Sequence, residues 1–464
     1  IGDAQMEKLQ AAGAIWNTVN NISIARPTTE GLSAAWGGAT FVPITGKLYF
    51  SPKYASSVLV VDPITNTSDT IAIAGVGNVS KWIAVTYAPT TSKLYFCPDT
   101  ADNVLVVDPT TNTSDTTAIA ELGDGDQKWY GVVFVNLTGK LYFAPYLTDN
   151  VLIVDPMTNM SDMTSISGLG NDGFKWIGVV FVPTTRKLYF GAYDASSVLI
   201  VDPVTNASDT TTIAGYVNIT KWVGVVFVAA TGKLYFCPRD ADNVLVVDPA
   251  TNTSDEYAIA GLGDGGRKWA GVVLHPHTGK LYFAPFNANN VLVVDPRTNQ
   301  SDTTSLAGFA GLISTKWRDV VYVPTTDKLY FCPSYAESVL IVTPMDPCVM
   351  TSCSSTCGNA CGWHYEQELC RTGATTDTYE KHARLGQCPI PSPTLPPSFS
   401  SPSPPSSMLE SSTINAWQMK KLNKAGAVWH TWDNTSIGGF DDGVRNHWRG
   451  VAFAPNTGKV YLGP

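Results

Sequence analysis

Between Trp36 and Pro344 the chain alternates short apolar runs with polar, turn-forming clusters. Residues 269–310 carry one full cycle, in which "GVVL", "KLYFAP", "NVLVVDP" and "DTTSLAG" are divided by Pro-x-Thr-Gly, Asn-Ala-Asn and Asp-Pro-x-Thr-Asn clusters. Runs of this length, rich in Val, Leu, Tyr, Phe and Thr and bounded by Gly, Pro, Asn and Asp, predict strands joined in a meander. The unbroken Val runs predict strands covered on both faces. Helical periodicity is nearly absent from this region.

The cycle repeats. Trp36, Trp82, Trp129, Trp176, Trp222, Trp269 and Trp317 are separated by 46, 47, 47, 46, 47 and 48 residues. The Tyr of each following "KLYF" run keeps the same beat, at Tyr49, Tyr95, Tyr142, Tyr189, Tyr235, Tyr282 and Tyr330. A period in the forties means one supersecondary unit copied, and four strands per unit predict the blade of a β-propeller. A stacked β-solenoid is the alternative, disfavoured because its coils are usually shorter. The expected fold class is all-β, a seven-bladed propeller over residues 18–346.

Unit seven has three strands, "DVVYVP", "KLYFCP" and "SVLIVTP", and no fourth. The segment "TVNNISIAR" (18–26) matches the missing run, and an open sheet edge is a liability. It is therefore expected to pair with Ser338–Val342 as the outer strand of blade seven. Lys precedes Trp in units two to seven and Asp ends the third strand in units one to six, with Ala35 and Thr343 as the exceptions. Those exceptions meet at the closure if each Asp pairs with the Lys of the next blade. Ion pairs are accordingly expected at Asp62–Lys81, Asp108–Lys128, Asp155–Lys175, Asp202–Lys221, Asp248–Lys268 and Asp295–Lys316. The alternative is that each Asp caps its own Asp-Pro turn while the Lys is solvated.

The run "KLYFAPFNANNVLVVDPRTNQ" (280–300) resembles the YVTN-type repeat of surface-associated seven-bladed propellers: an aromatic strand, Asn-rich turn residues, then a Val/Ile strand ending in Asp and a Thr-Asn turn. The likeness covers all seven units, roughly residues 30–345. It implies the architecture, and a fold carries no function with it.

A hydrophobic content of 44% is ample for a core, while a net charge of −9 and the lack of a basic stripe argue against nucleic acid. No run of about 20 apolar residues offers a membrane span. The chain starts at Ile1, and the expectation is that a leader has been removed. Asn-x-Ser/Thr sequons occur at Asn21, Asn66, Asn78, Asn112, Asn136, Asn159, Asn206, Asn218, Asn252, Asn299 and Asn434. Six of them (66, 112, 159, 206, 252 and 299) occupy one turn of successive units, and the rest lie outside it. A glycosylated, secreted or cell-surface protein is expected, with N-linked glycans at these sites.

The cysteines divide into two kinds. Cys97, Cys237 and Cys332 share the position held elsewhere by Ser51, Ala144, Gly191 and Ala284, and are expected to be buried, unpaired thiols. Cys348, Cys353, Cys357, Cys361, Cys370 and Cys388 crowd into a short stretch and are expected to form three disulfides of open connectivity. Zinc is the alternative, disfavoured because no two-residue Cys spacing occurs. Then "PIPSPTLPPSFSSPSPPSS" (389–407) has eight Pro and seven Ser in nineteen residues, so it cannot pack. It reads as an extended spacer of about 60 Å at roughly 3.1 Å per residue, and as a candidate for O-glycans. After it "NAWQMKKLNKAGAVW" (415–429) echoes "DAQMEKLQAAGAIW" (3–16) at a separation of 413 residues. The expected organisation is a helix or connector (1–17), the propeller (18–346), a disulfide module (347–388), a Pro/Ser spacer (389–412) and the start of a next propeller (413–464), in tandem units of a longer protein.

Chemistry is sparse. None of the six histidines repeats with the blades, and no nucleophile elbow, HExxH, P-loop or paired-carboxylate motif occurs. The loops "GDGD" (123–126), "GNDG" (170–173) and "GDGG" (263–266) are too short for a calcium ligand set, and His275-Pro-His277 reads as a surface loop. No catalytic residue, cofactor or metal is expected. Two functions follow: a structural glycoprotein of an extracellular filament, appendage or coat, whose partners are its own copies; or a lectin-like module binding carbohydrate or protein.

Overall fold

The computed structural model describes residues 17–19, 24–25, 35–77, 81–170, 173–216, 221–263, 265–309 and 314–344, and the backbone of strands in 363–370 and 450–463. Seven four-stranded antiparallel meanders form a β-propeller. Blade one comprises Trp36–Val42, Lys47–Pro52, Leu59–Asp62 and Thr67–Asp69. The first strands of the other blades are Trp82–Ala88, Trp129–Val135, Trp176–Val182, Trp222–Val228, Trp269–His275 and Trp317–Val323. Each first strand touches those of both neighbours, so they ring the axis.

Blade seven takes its outer edge from the N-terminal segment, in two pieces. Asn17–Val19 pairs with Val342–Pro344, and Ile24–Ala25 with Ser338–Val339. Ser338–Pro344 is correspondingly long, because one strand must receive both pieces. Of the expected helix or connector over residues 1–17, only Asn17 is described, and it belongs to the closing strand. The cysteine module also lies outside the described residues apart from a backbone pairing of Trp363–His364 with Leu369–Cys370. In the separate unit after residue 390, Gly450–Ala454 pairs with Lys459–Gly463, the strands of "GVAFA" and "KVYLG".

Period-two alternation explains the continuous apolar runs. Leu48 and Phe50 pack against Tyr330, Cys332 and Val339 of blade seven, while Tyr49 between them faces Trp82 and Phe96 of blade two. Each blade thus buries both sides, and every full burial of a Leu or Phe contributes about 1.5–3 kcal/mol. The repeated Trp donates its indole N–H to a backbone carbonyl 21 residues on, at 2.8–3.1 Å in all seven blades. The repeated Tyr reaches into the next blade: Tyr49, Tyr95, Tyr142, Tyr189 and Tyr235 donate to the carbonyls of Pro109, Pro156, Pro203, Pro249 and Pro296, and Tyr330 closes the ring on Pro63, at 2.9–3.3 Å.

These neutral bonds join the blades where ion pairs were expected. Asp62–Lys81, Asp108–Lys128, Asp155–Lys175, Asp202–Lys221, Asp248–Lys268 and Asp295–Lys316 do not pair, and the register gives the reason. Trp36 lies opposite Pro52 and Val42 opposite Lys47, so the residue before each Trp and the Asp after each third strand sit at opposite ends of a blade. A seven-residue strand separates those ends by roughly 20 Å. Each Asp instead caps its own turn: Asp62 Oδ1 accepts from Ile64 N (2.9 Å) and Thr65 N (3.1 Å). Asp108, Asp155, Asp202, Asp248 and Asp295 do the same with the residue two further on. The lysines lie along the tryptophans, as Lys221 Nζ does 4.9 Å from the Trp222 ring centre while also pairing with Glu256 Oε2 at 3.3 Å, or bond loop carbonyls, as Lys128 Nζ does with Gly125 O at 2.7 Å.

Candidate functional site

At the Trp end of the disc, the residue that follows each second strand reaches the axis. Its backbone is clamped identically in every blade. It donates its N–H to the carbonyl of the residue before Trp at 2.7–3.0 Å, and its own carbonyl accepts the corresponding N–H of the next blade at 2.7–3.1 Å, including Ala35 N to Ser334 O at the closure. Its side chain is not repeated at all: Lys53, Asp99, Tyr146, Tyr193, Arg239, Phe286 and Ser334. The residue after Trp lies on the same mouth and diverges equally: Gly37, Ile83, Tyr130, Ile177, Val223, Ala270 and Arg318.

These two columns converge on a polar and aromatic cluster. Lys53 Nζ and Arg318 Nη2 donate to Tyr130 Oη at 3.1 and 3.3 Å. Arg239 Nη1 donates to Tyr193 Oη at 2.5 Å. The Arg239 and Arg318 guanidinium carbons lie 5.9 and 5.6 Å from the Phe286 ring centre. Tyr146 packs on Tyr130 (4.4 Å between centres) and on Phe174 (4.7 Å). Burial and the neighbouring Arg318 charge pull the Lys53 ammonium down to about 7, and burial pushes the Tyr130 phenol up to about 12. The cluster is thus rich in cations and in hydroxyls that stay protonated.

Below it an axial cavity of about 220 Å³ is lined by the first strands of all seven blades. The strands approach closely here: a Cβ on Gly131 would lie 2.8 Å from Gly178 Cα, and Gly131 and Gly178 have φ of 141° and 77°. Only Gly meets both demands. Blade seven breaks the column with Asp319, whose carboxylate accepts from Ala39 N across the closure (3.2 Å) and from Val320 N of its own strand (2.9 Å). Burial pushes this carboxyl up to about 6.

At the opposite, turn end, His275 corrects an expectation. It is fully buried rather than on a surface loop, and with His277 it meets Asp327 of blade seven. Two imidazole nitrogens and a carboxylate oxygen lie within 4.8 Å of one another, a metal-sized arrangement. Hydrogen bonding disfavours a metal. His275 Nδ1 accepts from Thr278 N (3.2 Å), so the proton of the neutral ring sits on Nε2 and faces Asp327 Oδ1 at 3.1 Å. That oxygen also meets His277 Nδ1 (2.6 Å) and the Tyr322 hydroxyl (3.0 Å). The set works as a hydrogen-bonded seam between blades six and seven.

The other singled-out residues fall into place by their ends. Asn66, Asn112, Asn159, Asn206, Asn252 and Asn299 take φ of 55–60° in the turns between third and fourth strands. Asn tolerates this left-handed conformation better than most residues, so turn geometry alone asks for an Asn there. Asn136 lies in the turn after a first strand. All seven are at the turn end, away from the mouth. Asn21, Asn78, Asn218 and Asn434 lie outside the described residues. Cys97, Cys237 and Cys332 are free and fully buried, and burial pushes their thiols up and out of reactive range. Sequence reasoning missed the mouth, although a signal existed. Superposing the seven units shows two columns that vary in charge and size while their neighbours hardly vary.

No protein-family model matches the chain, and no curated protein matches it. Solved structures do. The chain is similar to a streptogramin B lyase, with 12% identity over 71% of this chain and 98% of that one and a TM-score of 0.54. It is also similar to virginiamycin B lyase from Staphylococcus aureus, at 10% identity over 71% and 100% of the two chains and a TM-score of 0.53. A third is the extracellular domain of a putative one-component system from B. thetaiotaomicron, at 12% identity over 72% and 43% and a TM-score of 0.50. At such identities the likeness is one of fold. Among the described residues no helix is long and apolar enough to cross a membrane.

Proposed function

We propose that the protein is a non-catalytic, extracellular building block: propeller discs in tandem on Pro/Ser spacers, N-glycosylated at one end and making their contacts through the other. The observation that carries this reading is that, among the described residues, every sequon asparagine lies at the turn end of the disc. Seven asparagines in sequons share the turn end of the disc, and glycans there would hydrate and block that face. Contacts between units are then left to the mouth end, the termini and the cysteine-rich segment. The return of the N-terminal motif after 413 residues, following a spacer too stiff to collapse, supports the tandem arrangement.

Native material treated with a peptide N-glycosidase in heavy-oxygen water tests it. Labelled Asn→Asp conversion is expected at the turn asparagines, and electron microscopy should show beaded filaments or sheets. Unconverted asparagines together with dispersed single discs would overturn the reading. A second reading, ligand recognition at the mouth, is favoured by the convergence of the two divergent columns on one cluster.

A further inference from the structure

We propose that the axial mouth binds an acidic sugar, a polyhydroxylated ring bearing a carboxylate, with Arg318, Arg239 and Lys53 holding the carboxylate. The inference deepens the recognition reading and does not depend on the tandem scaffold.

Three basic side chains from blades one, five and seven are gathered, the two guanidiniums charged and Lys53 half-charged near neutral pH. The charge of Asp99 acts on Lys53 and Arg318 from beyond ion-pair distance. Among the described residues neither Arg318 nor Lys53 has a carboxylate oxygen within 4.0 Å; each instead donates to the neutral Tyr130 hydroxyl. The nearest acid to Arg239 is Asp240, at 4.0 Å. Because Tyr130 Oη accepts from both cations, its own proton is directed elsewhere. Tyr193 Oη, accepting from Arg239, is in the same state. The mouth therefore presents donors, and a ligand must bring acceptors. Charge-assisted bonds from Arg to a carboxylate are the strong form of that match.

The donors are also preorganised. Both guanidinium groups lie beside Phe286, Arg318 also lies over Tyr130 at 5.4 Å, and the backbones of Lys53 and Arg239 are held by the clamp that every blade shares. Little side-chain freedom remains to be lost on binding. Asp240 flanks the cluster beside Arg239 and supplies an acceptor for a ligand hydroxyl, and the Asp99 charge acts on Lys53 and Arg318. That suits a singly charged sugar acid better than a phosphate group, whose double charge these two carboxylates would repel. The cavity of about 220 Å³ beneath the cluster is of a size for one sugar ring. The Asp319 carboxylate in that throat is turned to the backbone of blade one and does not compete.

Calorimetric titration of the full chain tests this with methyl galacturonide and its neutral counterpart, methyl galactoside. The acid is expected to bind, the neutral sugar about tenfold or more weaker, and Arg318→Met should weaken the acid by a similar factor. Arg297→Met, at the turn end, should leave binding unchanged. If Arg318→Met loses the native circular dichroism, Lys53→Met is read in its place. Equal binding of acid and neutral sugar, or galacturonide binding indifferent to these variants, overturns the proposal. Arg318-dependent binding of triglutamate without galacturonide binding overturns the sugar assignment and leaves a recognition mouth. Binding of no anion overturns both.

Discussion

The two ends of the disc are built from the same strands and have been treated in opposite ways. At the turn end the blades are near copies: Asp caps the turn, Asn takes the left-handed position, and the Tyr of the preceding blade bonds the Pro carbonyl between them. At the mouth end the backbone is equally regular, yet the side chains it carries are Lys, Asp, Tyr, Tyr, Arg, Phe and Ser. A turn dictates its residues through φ, ψ and local hydrogen bonds, so copying the turn copies the residues. The mouth clamp uses only backbone N–H and C=O groups. It therefore holds any side chain in place, and that leaves the mouth free to specialise.

If both ends hang on one framework, breaking it should be equally costly in any blade. Trp129→Ala and Trp222→Ala, in blades three and five, should each lose about 3–5 kcal/mol by denaturant unfolding. A blade that tolerates the change would show that the ring is not uniform.

Asp319→Asn probes the throat where uniformity ends. The folded carboxyl sits at about 6, above its ordinary value near 3.9. The folded state therefore binds more protons than the unfolded between those values, and its stability falls as pH rises through that window. Asn keeps one of the two acceptor oxygens and, like the protonated acid, carries no charge. It should raise stability at pH 8 by about 3 kcal/mol, since the proton affinities of folded and unfolded chain differ by about two tenfold steps, each worth about 1.4 kcal/mol, and leave it little changed at pH 4. A variant less stable than the parent at pH 8 would contradict this.

Tyr142→Phe and Tyr235→Phe remove single links between blades, and each should cost about 1 kcal/mol. Similar losses in both would mark the Tyr–Pro bond as the repeated inter-blade lock. Smallest of all is the turn end itself. Asn112→Gly should change stability by no more than about 0.5 kcal/mol, while Asn112→Ala should cost about 1 kcal/mol. Measured on deglycosylated protein, this order separates turn geometry from any effect of a glycan.

The period of Trp and Tyr, the turn clusters and the orphan N-terminal run were enough to give the blade count, the strand order and the closure. Each is a local feature, or a tally of local features, along the chain. The buried unpaired thiols followed in the same way, from a column of small residues. The Asp–Lys pairs did not follow. Counting which blades lacked each partner said nothing about which end of an antiparallel strand it occupied, and the register alone placed Asp62 and Lys81 at opposite ends. His275 reached Asp327 for the same reason, across a blade boundary that the sequence does not show. Above all, Lys53, Tyr130, Arg239 and Arg318 are spread over 266 residues of chain. Only closing seven blades around an axis brings positions of equal phase in each repeat to one point. The chain by itself determined the blade, whose bonds are local. The tertiary structure decided the site, because a ring converts equivalence in sequence into proximity in space.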